Sequence, residues 1–118
     1  MLTFAGGARI FVATGTTDMR KSFDTLAQLA RDRVGEDPLG GALFVFCNRH
    51  RNRLKILWFD RGGFWLVARR LERGTFAWPK AVTSESQHVE LRASELAMLL
   101  DGIDLAHARR RVWYERSA

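Results

Sequence analysis

The sequence predicts an α+β domain: a mainly antiparallel sheet, arranged as a meander of three to five strands, with two helices. Two observations support this fold class. Short runs of β-branched and aromatic residues follow one another through the middle of the chain, separated by Gly, Asn and Asp residues that favour turns. Apolar residues at helical spacing occur on either side of these runs. Strands that are grouped together, instead of alternating with helices, are typical of α+β folds.

The first strand is predicted over residues 9–13, and a helix should follow it. Its apolar residues recur at i, i+3, i+4, i+7 and i+11, which places them on one helical face. Thr17, Asp18 or Ser22 is expected to cap the start of this helix and Gly35 its end. The predicted face consists of Phe23, Leu26, Ala27, Ala30 and Val34.

Three further strands are predicted at 42–47, 54–59 and 64–71. The polar stretch 48–52 should close the first hairpin, and the turn signal at 60–63 the second. These strands are apolar on both faces for much of their length. The pattern indicates a sheet covered on both sides, or one covered by a helix on one side and by a partner on the other.

A short strand at 89–91 and a second helix complete the predicted domain. The single domain is assigned to residues 1–104, and residues 105–118 form a basic C-terminal tail. Basic residues beside aromatic ones in this tail suit nucleic acid and an acidic protein surface equally. The apolar residues that predict the second helix are Leu96, Leu99, Leu100 and Ile103.

Length and cysteine content are typical of an intracellular globular domain. The 118 residues suffice for one domain. The one cysteine, Cys47, cannot form an internal disulfide, which fits a reducing cytoplasm, and its apolar surroundings predict a buried thiol. No signal peptide or run of about 20 apolar residues is evident. A cytoplasmic location without a membrane partner is therefore predicted.

The charge balance favours an acidic partner. Lys and Arg number 19 against 13 acids, giving a net charge of +6, and most of the bases are arginines. Arg pairs bidentately with phosphate and stacks on bases. Nucleic acid is the commonest partner of such a surface. Net charge that serves solubility alone remains the alternative.

The densest basic cluster is the predicted hairpin loop and the start of the following strand. Residues 48–55 hold four cations and a histidine, with no acid. A β-ribbon can enter the major groove, and cations at its tip can contact phosphates. A solvated loop charged for solubility is the alternative. The four candidate nucleic-acid-binding cations are Arg49, Arg51, Arg53 and Lys55.

Two other clusters add four candidates. Arg20 and Lys21 precede the first helix, where cations are poorly placed for the helix dipole unless a cap offsets this. Arg70 and Arg73 flank an acid, so a structural ion pair is the alternative there. Strand periodicity places Arg69 on the face opposite Arg70, and a single surface can hold only one of these two.

The sequence contains no recognisable catalytic constellation. No His/Cys spacing is typical of zinc, and no Gly-rich phosphate loop or nucleophile elbow occurs. A non-enzymatic protein without a metal or cofactor is therefore expected. A small nuclease is the alternative, and it would require scattered carboxylates to meet around Mg²⁺. Those carboxylates are Asp18, Asp60, Glu72 and Asp101.

Three stretches of the chain resemble one known family. They are TTDMRKSFDTL at 16–26, a long run at 43–79, and SELAMLLDGID at 94–104. They resemble the TnpB accessory proteins of the IS66 group of bacterial insertion sequences, which are distinct from the RNA-guided nuclease of that name. The matching positions are Asp18, Met19, Arg20, Lys21, Phe23, Arg53, Lys55, Trp58, Gly63, Arg70, Leu71, Gly74 and Pro79.

This resemblance implies a role in DNA transposition, beside a separate transposase that cleaves and joins the strands. The expected function is a non-catalytic accessory factor that contacts DNA through the basic hairpin, with the transposase and other proteins of the element as partners. The alternative is an adaptor that binds the transposase without contacting DNA. Relatives often carry Thr where Arg92 stands, so a side-chain cap worth about 1 kcal/mol is lost unless the second helix starts at Ser94.

Overall fold

A five-stranded sheet organises the protein in a computed structural model, which describes residues 7–83 and 85–102. The strand order is β4-β3-β2-β1-β5, and only the β1–β2 pair is parallel. The predicted α+β fold with a mainly antiparallel sheet is therefore confirmed. The elements are β1 (Ile10–Ala13), α1 (Phe23–Leu29), a π-helical turn (Ala30–Val34), β2 (Leu43–Cys47), β3 (Arg53–Asp60), β4 (Gly63–Arg70), β5 (His88–Leu91) and α2 (Ala93–Leu100).

Helix α1 connects the parallel strands β1 and β2 and covers one face of the sheet. Four of the five residues of its predicted apolar face pack there against Phe11, Phe44 and Leu57. The fifth, Phe23, is 43% exposed, so its predicted burial is wrong. It is the first residue of the helix and lies apart from the buried turns that follow. The four packed residues are Leu26, Ala27, Ala30 and Val34.

The ends of this helical segment follow the sequence prediction. Ser22 is the N-cap residue among the three candidates, and its backbone N–H donates to Thr25 Oγ1 at 3.0 Å. The last turn widens to a π-helix and closes with the Gly35 N–H donating to the Ala30 carbonyl at 3.0 Å. Gly35 has a φ of 77°, which a residue without Cβ adopts at little cost.

Helix α2 and the segment after β4 cover the other face of the sheet. Leu96 and Leu99 of α2 pack with Phe76 against the strand residues that point away from α1. Trp78 Nε1 donates to the Ala13 carbonyl at 2.8 Å and fixes the segment to the end of β1. Both faces of β1 and β2 are therefore covered from within the chain, as in the first of the two alternatives, whereas no residue of the edge strand β4 is buried.

Helix α2 begins at Ala93 and not at the later alternative, Ser94. Arg92 occupies the N-cap position, and the Glu95 carboxylate accepts from its backbone N–H at 3.0 Å. The acid in the first turn thus satisfies the N–H of the N-cap residue, which is the half of a capping box that does not need a threonine. The helix ends at Leu100; Ile103 and the predicted tail lie outside the described residues. Within 7–83 and 85–102, every helix is too short or too polar to cross a bilayer.

Candidate nucleic-acid interface

Strand pairing brings three of the predicted cations onto one face of the sheet. Along β3, Leu54 and Ile56 are buried on the α2 side, so Arg53 and Lys55 point to the α1 side. Arg53 lies directly opposite Arg70 of β4 in the antiparallel register. Like charges at opposed positions of adjacent strands repel each other. The sheet edge therefore presents a concentrated positive charge beyond the start of α1.

The segment between β1 and α1 forms the neighbouring wall. Lys55 Nζ donates to the Lys21 carbonyl at 2.8 Å and holds this segment against β3. Asp18 accepts from the backbone N–H of Arg20 at 2.9 Å and from its guanidinium at 2.7 Å. The side-chain hydrogen bond from Arg20, reinforced by the backbone one, lowers the pKa of Asp18 to about 2. Asp18 therefore stays ionised and paired across the physiological pH range.

The turn between β2 and β3 is built around one asparagine. Asn48 Oδ1 accepts from the backbone N–H groups of Asn52 at 3.0 Å and Arg53 at 3.1 Å. Asn48 Nδ2 donates to Asn52 Oδ1 at 2.7 Å. The predicted loop is therefore present. It is defined by side-chain hydrogen bonds to the backbone, which compete with regular strand pairing.

Arg51, at the tip of this turn, is held against the protein. Its guanidinium donates to the Thr14 carbonyl at 3.1 Å and lies 5.4 Å from the centre of the Trp78 ring. Its own carbonyl accepts from the Phe76 N–H at 2.6 Å. The turn is therefore packed against two other segments and does not stand free as a ribbon. Arg51 fixes these segments together instead of extending from them.

Two adjoining concavities lie between these walls. The larger, of about 670 Å³, separates the segment after β1 from the turn after β2; the smaller, of about 250 Å³, reaches the edge of β3 and β4. Both are lined by Met19 and Arg53, so they form one continuous surface. We call it the basic groove, and its basic residues are Arg20, Arg49, His50, Arg53, Lys55, Arg69 and Arg70.

Five of the eight predicted site residues line the basic groove, and three do not. Lys21 contributes its carbonyl to Lys55, and Arg51 is held as described above. Arg73 follows β4 and is exposed outside the groove lining. Arg70 forms an exposed ion pair with Glu72, as the structural alternative predicted. The five residues in the groove are Arg20, Arg49, Arg53, Lys55 and Arg70.

Met19 and Thr17 are among the groove residues that were not predicted as site residues. Met19 lies where the two concavities join, and Thr17 is a buried residue in the wall of the larger one. Arg69 and Arg70 point to opposite faces, as predicted, and Arg69 donates to the Leu100 carbonyl at 2.6 Å. Both nevertheless line the smaller concavity at the sheet edge, so the expectation that a single surface holds only one of them is wrong. Neither Met19 nor Thr17 carries a charge, so a search for basic clusters passes over both.

Comparison with known proteins identifies the family of this chain. The family of IS66 Orf2-like proteins matches residues 8–110. Uncharacterized protein y4hO of Sinorhizobium fredii is 40% identical over 107 residues, covering 91% of this chain and 90% of that protein. Uncharacterized protein y4jC of the same organism is 30% identical over 105 residues, covering 89% and 87%. No solved structure gives a significant match. The predicted resemblance is confirmed: the chain belongs to the IS66 Orf2-like family of transposition-associated accessory proteins, which is not a known class of enzyme.

Proposed function

We propose that this protein is a non-catalytic accessory factor that contacts the DNA backbone through the basic groove during transposition. The observation that carries the proposal is the direct opposition of Arg53 and Arg70 on neighbouring strands, with Lys55 beside them. The exposed ion pair with Glu72 offsets the charge of Arg70 only in part, and an anion between Arg53 and Arg70 would relieve the remaining repulsion. Arginine forks bind phosphate oxygens bidentately, which makes a phosphate backbone the best-fitting anion.

The partners of each cation indicate which ones are available to DNA. Arg49 and Arg53 form no side-chain hydrogen bond or ion pair with any residue of the described ranges. Arg20 and Arg70 are exposed, and each is paired with one acid. Exposed pairs of this kind are weak and can exchange a carboxylate for a phosphate. We therefore expect Arg49 and Arg53 to contribute most to binding.

A salt titration with duplex DNA tests the proposal. The logarithm of the binding constant should fall linearly with the logarithm of salt concentration, with a slope of about 0.9 for each phosphate contacted. The double variant Arg49→Ala/Arg53→Ala should bind every sequence more weakly and reduce the slope by about 2.

The control is Arg61→Asn, which removes one positive charge at the far end of the β3–β4 hairpin and is matched to each single substitution of the double variant. Seven steps of β3 separate Arg53 from that end, or about 23 Å at about 3.3 Å per residue. Arg61 has a φ of 48°, a conformation that Asn tolerates, so the variant should fold normally. Binding at 0.15 M salt should be unchanged. Failure of the unsubstituted protein to shift any duplex or single strand at micromolar concentration would contradict the proposal.

The non-catalytic part of the proposal rests on the surroundings of the reactive groups. Cys47 is fully buried, and burial raises the pKa of its thiol, which disfavours the nucleophilic thiolate. Asp18 and Glu72 are each paired with an arginine, while Asp60 lies at the opposite end of β3 from Arg53. These carboxylates therefore do not converge on a metal site of the kind a nuclease needs. Nicking of plasmid DNA in the presence of Mg²⁺ or Mn²⁺ would overturn this part.

The adaptor function is the second candidate, and one observation favours it. Strand β4 is an edge strand, and Trp65 on it is 49% exposed while stacking on Trp58 at 6.0 Å between ring centroids. Exposed edge strands are recurrent sites of protein association. The adaptor function would be supported if the protein co-purifies with the transposase after nuclease digestion and the variant Trp65→Ser does not. Absence of the transposase after digestion would argue against it.

A further inference from the structure

Thr17 carries a polar group that the rest of the described chain leaves unsatisfied. The residue is 5% exposed, and its Oγ1 has no hydrogen-bond partner within 7–83 and 85–102. Its backbone N–H donates to the Cys47 carbonyl at 2.8 Å, so the residue is fixed to the end of β2. Buried hydroxyls are nearly always hydrogen-bonded in native proteins, because an unpaired one loses its bonds to water.

The position of this hydroxyl relates it to the basic groove. Thr17 lies in the wall of the larger concavity, together with Arg49, His50 and Arg53. The neighbouring carbonyls already have donors: Arg51 binds those of Thr14 and Gly15, and Arg33 binds that of Thr16 at 3.2 Å. The segment is thus held in place by its backbone. Oγ1 itself is buried, and a 120° rotation about χ1 moves it to the site now held by the methyl group or the hydrogen of Cβ without moving the main chain.

We infer that Thr17 is the neutral hydrogen-bond donor of a phosphate subsite, in which Arg49, Arg53 and His50 surround the anion. The inference rests on the proposed function, since it assigns one defined position within the groove that meets the DNA backbone. Charged and neutral donors would have complementary effects in such a subsite. The charged side chains attract the phosphate over a distance, and the hydroxyl fixes the position of one phosphate oxygen. The ligand class is a phosphate group, either inorganic phosphate or a phosphodiester of DNA.

Thr17→Val is the informative variant, because it replaces the hydroxyl by a methyl group of similar shape. A hydrogen bond to a charged partner is lost, so the affinity for duplex DNA should fall about tenfold. The salt slope should not change, because a neutral side chain releases no counterion. This combination separates Thr17 from the arginines, whose removal lowers both the affinity and the slope.

Two companion variants control for packing. Thr17→Ser keeps the hydroxyl and should bind within about twofold of the unsubstituted protein, since the donor to the charged phosphate is retained. Thr75→Val makes the same replacement at an exposed threonine outside the groove lining and should have no effect. The thermal unfolding midpoint of Thr17→Val should equal or exceed that of the parent, because an unpaired buried hydroxyl is removed. A lowered midpoint would show that the hydroxyl has a structural partner such as a buried water, and would overturn the inference.

Two probes identify the source of the phosphate and test the Thr17 subsite separately from the proposed DNA-binding function. The probes are inorganic phosphate, compared with chloride at equal ionic strength, and a short DNA duplex. If inorganic phosphate raises the unfolding midpoint of the parent but not of Thr17→Val, a free anion suffices for the subsite. If Thr17→Val weakens binding only of the duplex, the subsite is specific for the phosphodiester. Equal duplex binding by Thr17→Val and the parent overturns the subsite and leaves the proposed function standing. If the parent binds phosphate through Thr17 but no DNA, the proposed function fails and the anion site remains.

Discussion

Arg49, Arg51 and Arg53 occupy alternate positions of one turn, and their side chains have different surroundings. Arg49 and Arg53 are exposed in the basic groove, whereas Arg51 is bound to backbone carbonyls of the segment after β1. The left-handed φ of 57° at Arg51 directs its side chain away from its neighbours. Charge patterning in a sequence reports which residues are basic, but it does not report a backbone conformation or a distant carbonyl acceptor. The cluster was therefore predictable, and the division of roles within it was not.

Replacement of Arg51 should affect stability more than it affects phosphate contacts. Arg51→Ala removes two hydrogen bonds and the contact with Trp78, and should lower the free energy of unfolding by about 1–3 kcal/mol. Urea denaturation provides the measurement. The matched variant Arg49→Ala should stay within about 0.5 kcal/mol of the parent, because the side chain has no partner in the described residues. Equal destabilisation by the two substitutions would contradict this division of roles.

At the level of elements, local sequence determined the positions of the strands and helices but not their neighbours. The predicted bounds of β3 and β4 differ from the observed ones by one residue at each end, since alternation and turn signals are local. The pairing of β1 with β2 depends on contacts across the whole α1 crossover. A parallel pair needs such a crossover, which a meander does not contain. The helix between the two strands was therefore predictable from the sequence, but the parallel pairing of β1 with β2 was not.

The end of the crossover helix gives a prediction at this level. Gly35→Ala should lower the free energy of unfolding by about 1 kcal/mol, because an alanine at a φ of 77° is strained. A Cβ at this position meets no atom within 4 Å, so the effect comes from the backbone alone. Gly63→Ala is the control, since its added Cβ is equally free and its φ is not positive. Thermal or urea unfolding should therefore show a lower free energy of unfolding for Gly35→Ala than for Gly63→Ala. Equal decreases in the two variants would contradict the backbone explanation.

For the whole molecule, the basic groove lies where the carboxyl ends of the two parallel strands meet. One wall is the segment after β1, and the other is the turn after β2. Ligands of open sheets with parallel strands often bind at this end, because the connections there diverge to opposite sides. Basic residues in both walls were predicted from the sequence, but as two separate clusters, one before α1 and one in the turn after β2. Their meeting follows from the β1–β2 pair, which explains why the groove could not be located from local patterns.

The charge of the whole molecule also affects how quickly it should meet DNA. Arg61 lies about 23 Å from Arg53 along β3, beyond the screening length of about 8 Å at 0.15 M salt but within that of about 30 Å at 0.01 M. Arg61→Asn should therefore leave the association rate unchanged at the higher salt and lower it at the lower salt. Stopped-flow measurement of association at both concentrations tests this. A reduced rate at 0.15 M would place Arg61 in direct contact with DNA.

The two walls of the groove have a thermodynamic consequence for folding. They are adjacent only while β1 and β2 are paired, and the unfolded chain separates them by the length of the crossover. An anion held between them binds the native state and not the unfolded one, so it raises the free energy of unfolding in proportion to the logarithm of its concentration. If the groove binds phosphate as proposed, folding and phosphate recognition are therefore coupled in this protein. A DNA molecule bound there would then also hold the two ends of the β1–α1–β2 unit together.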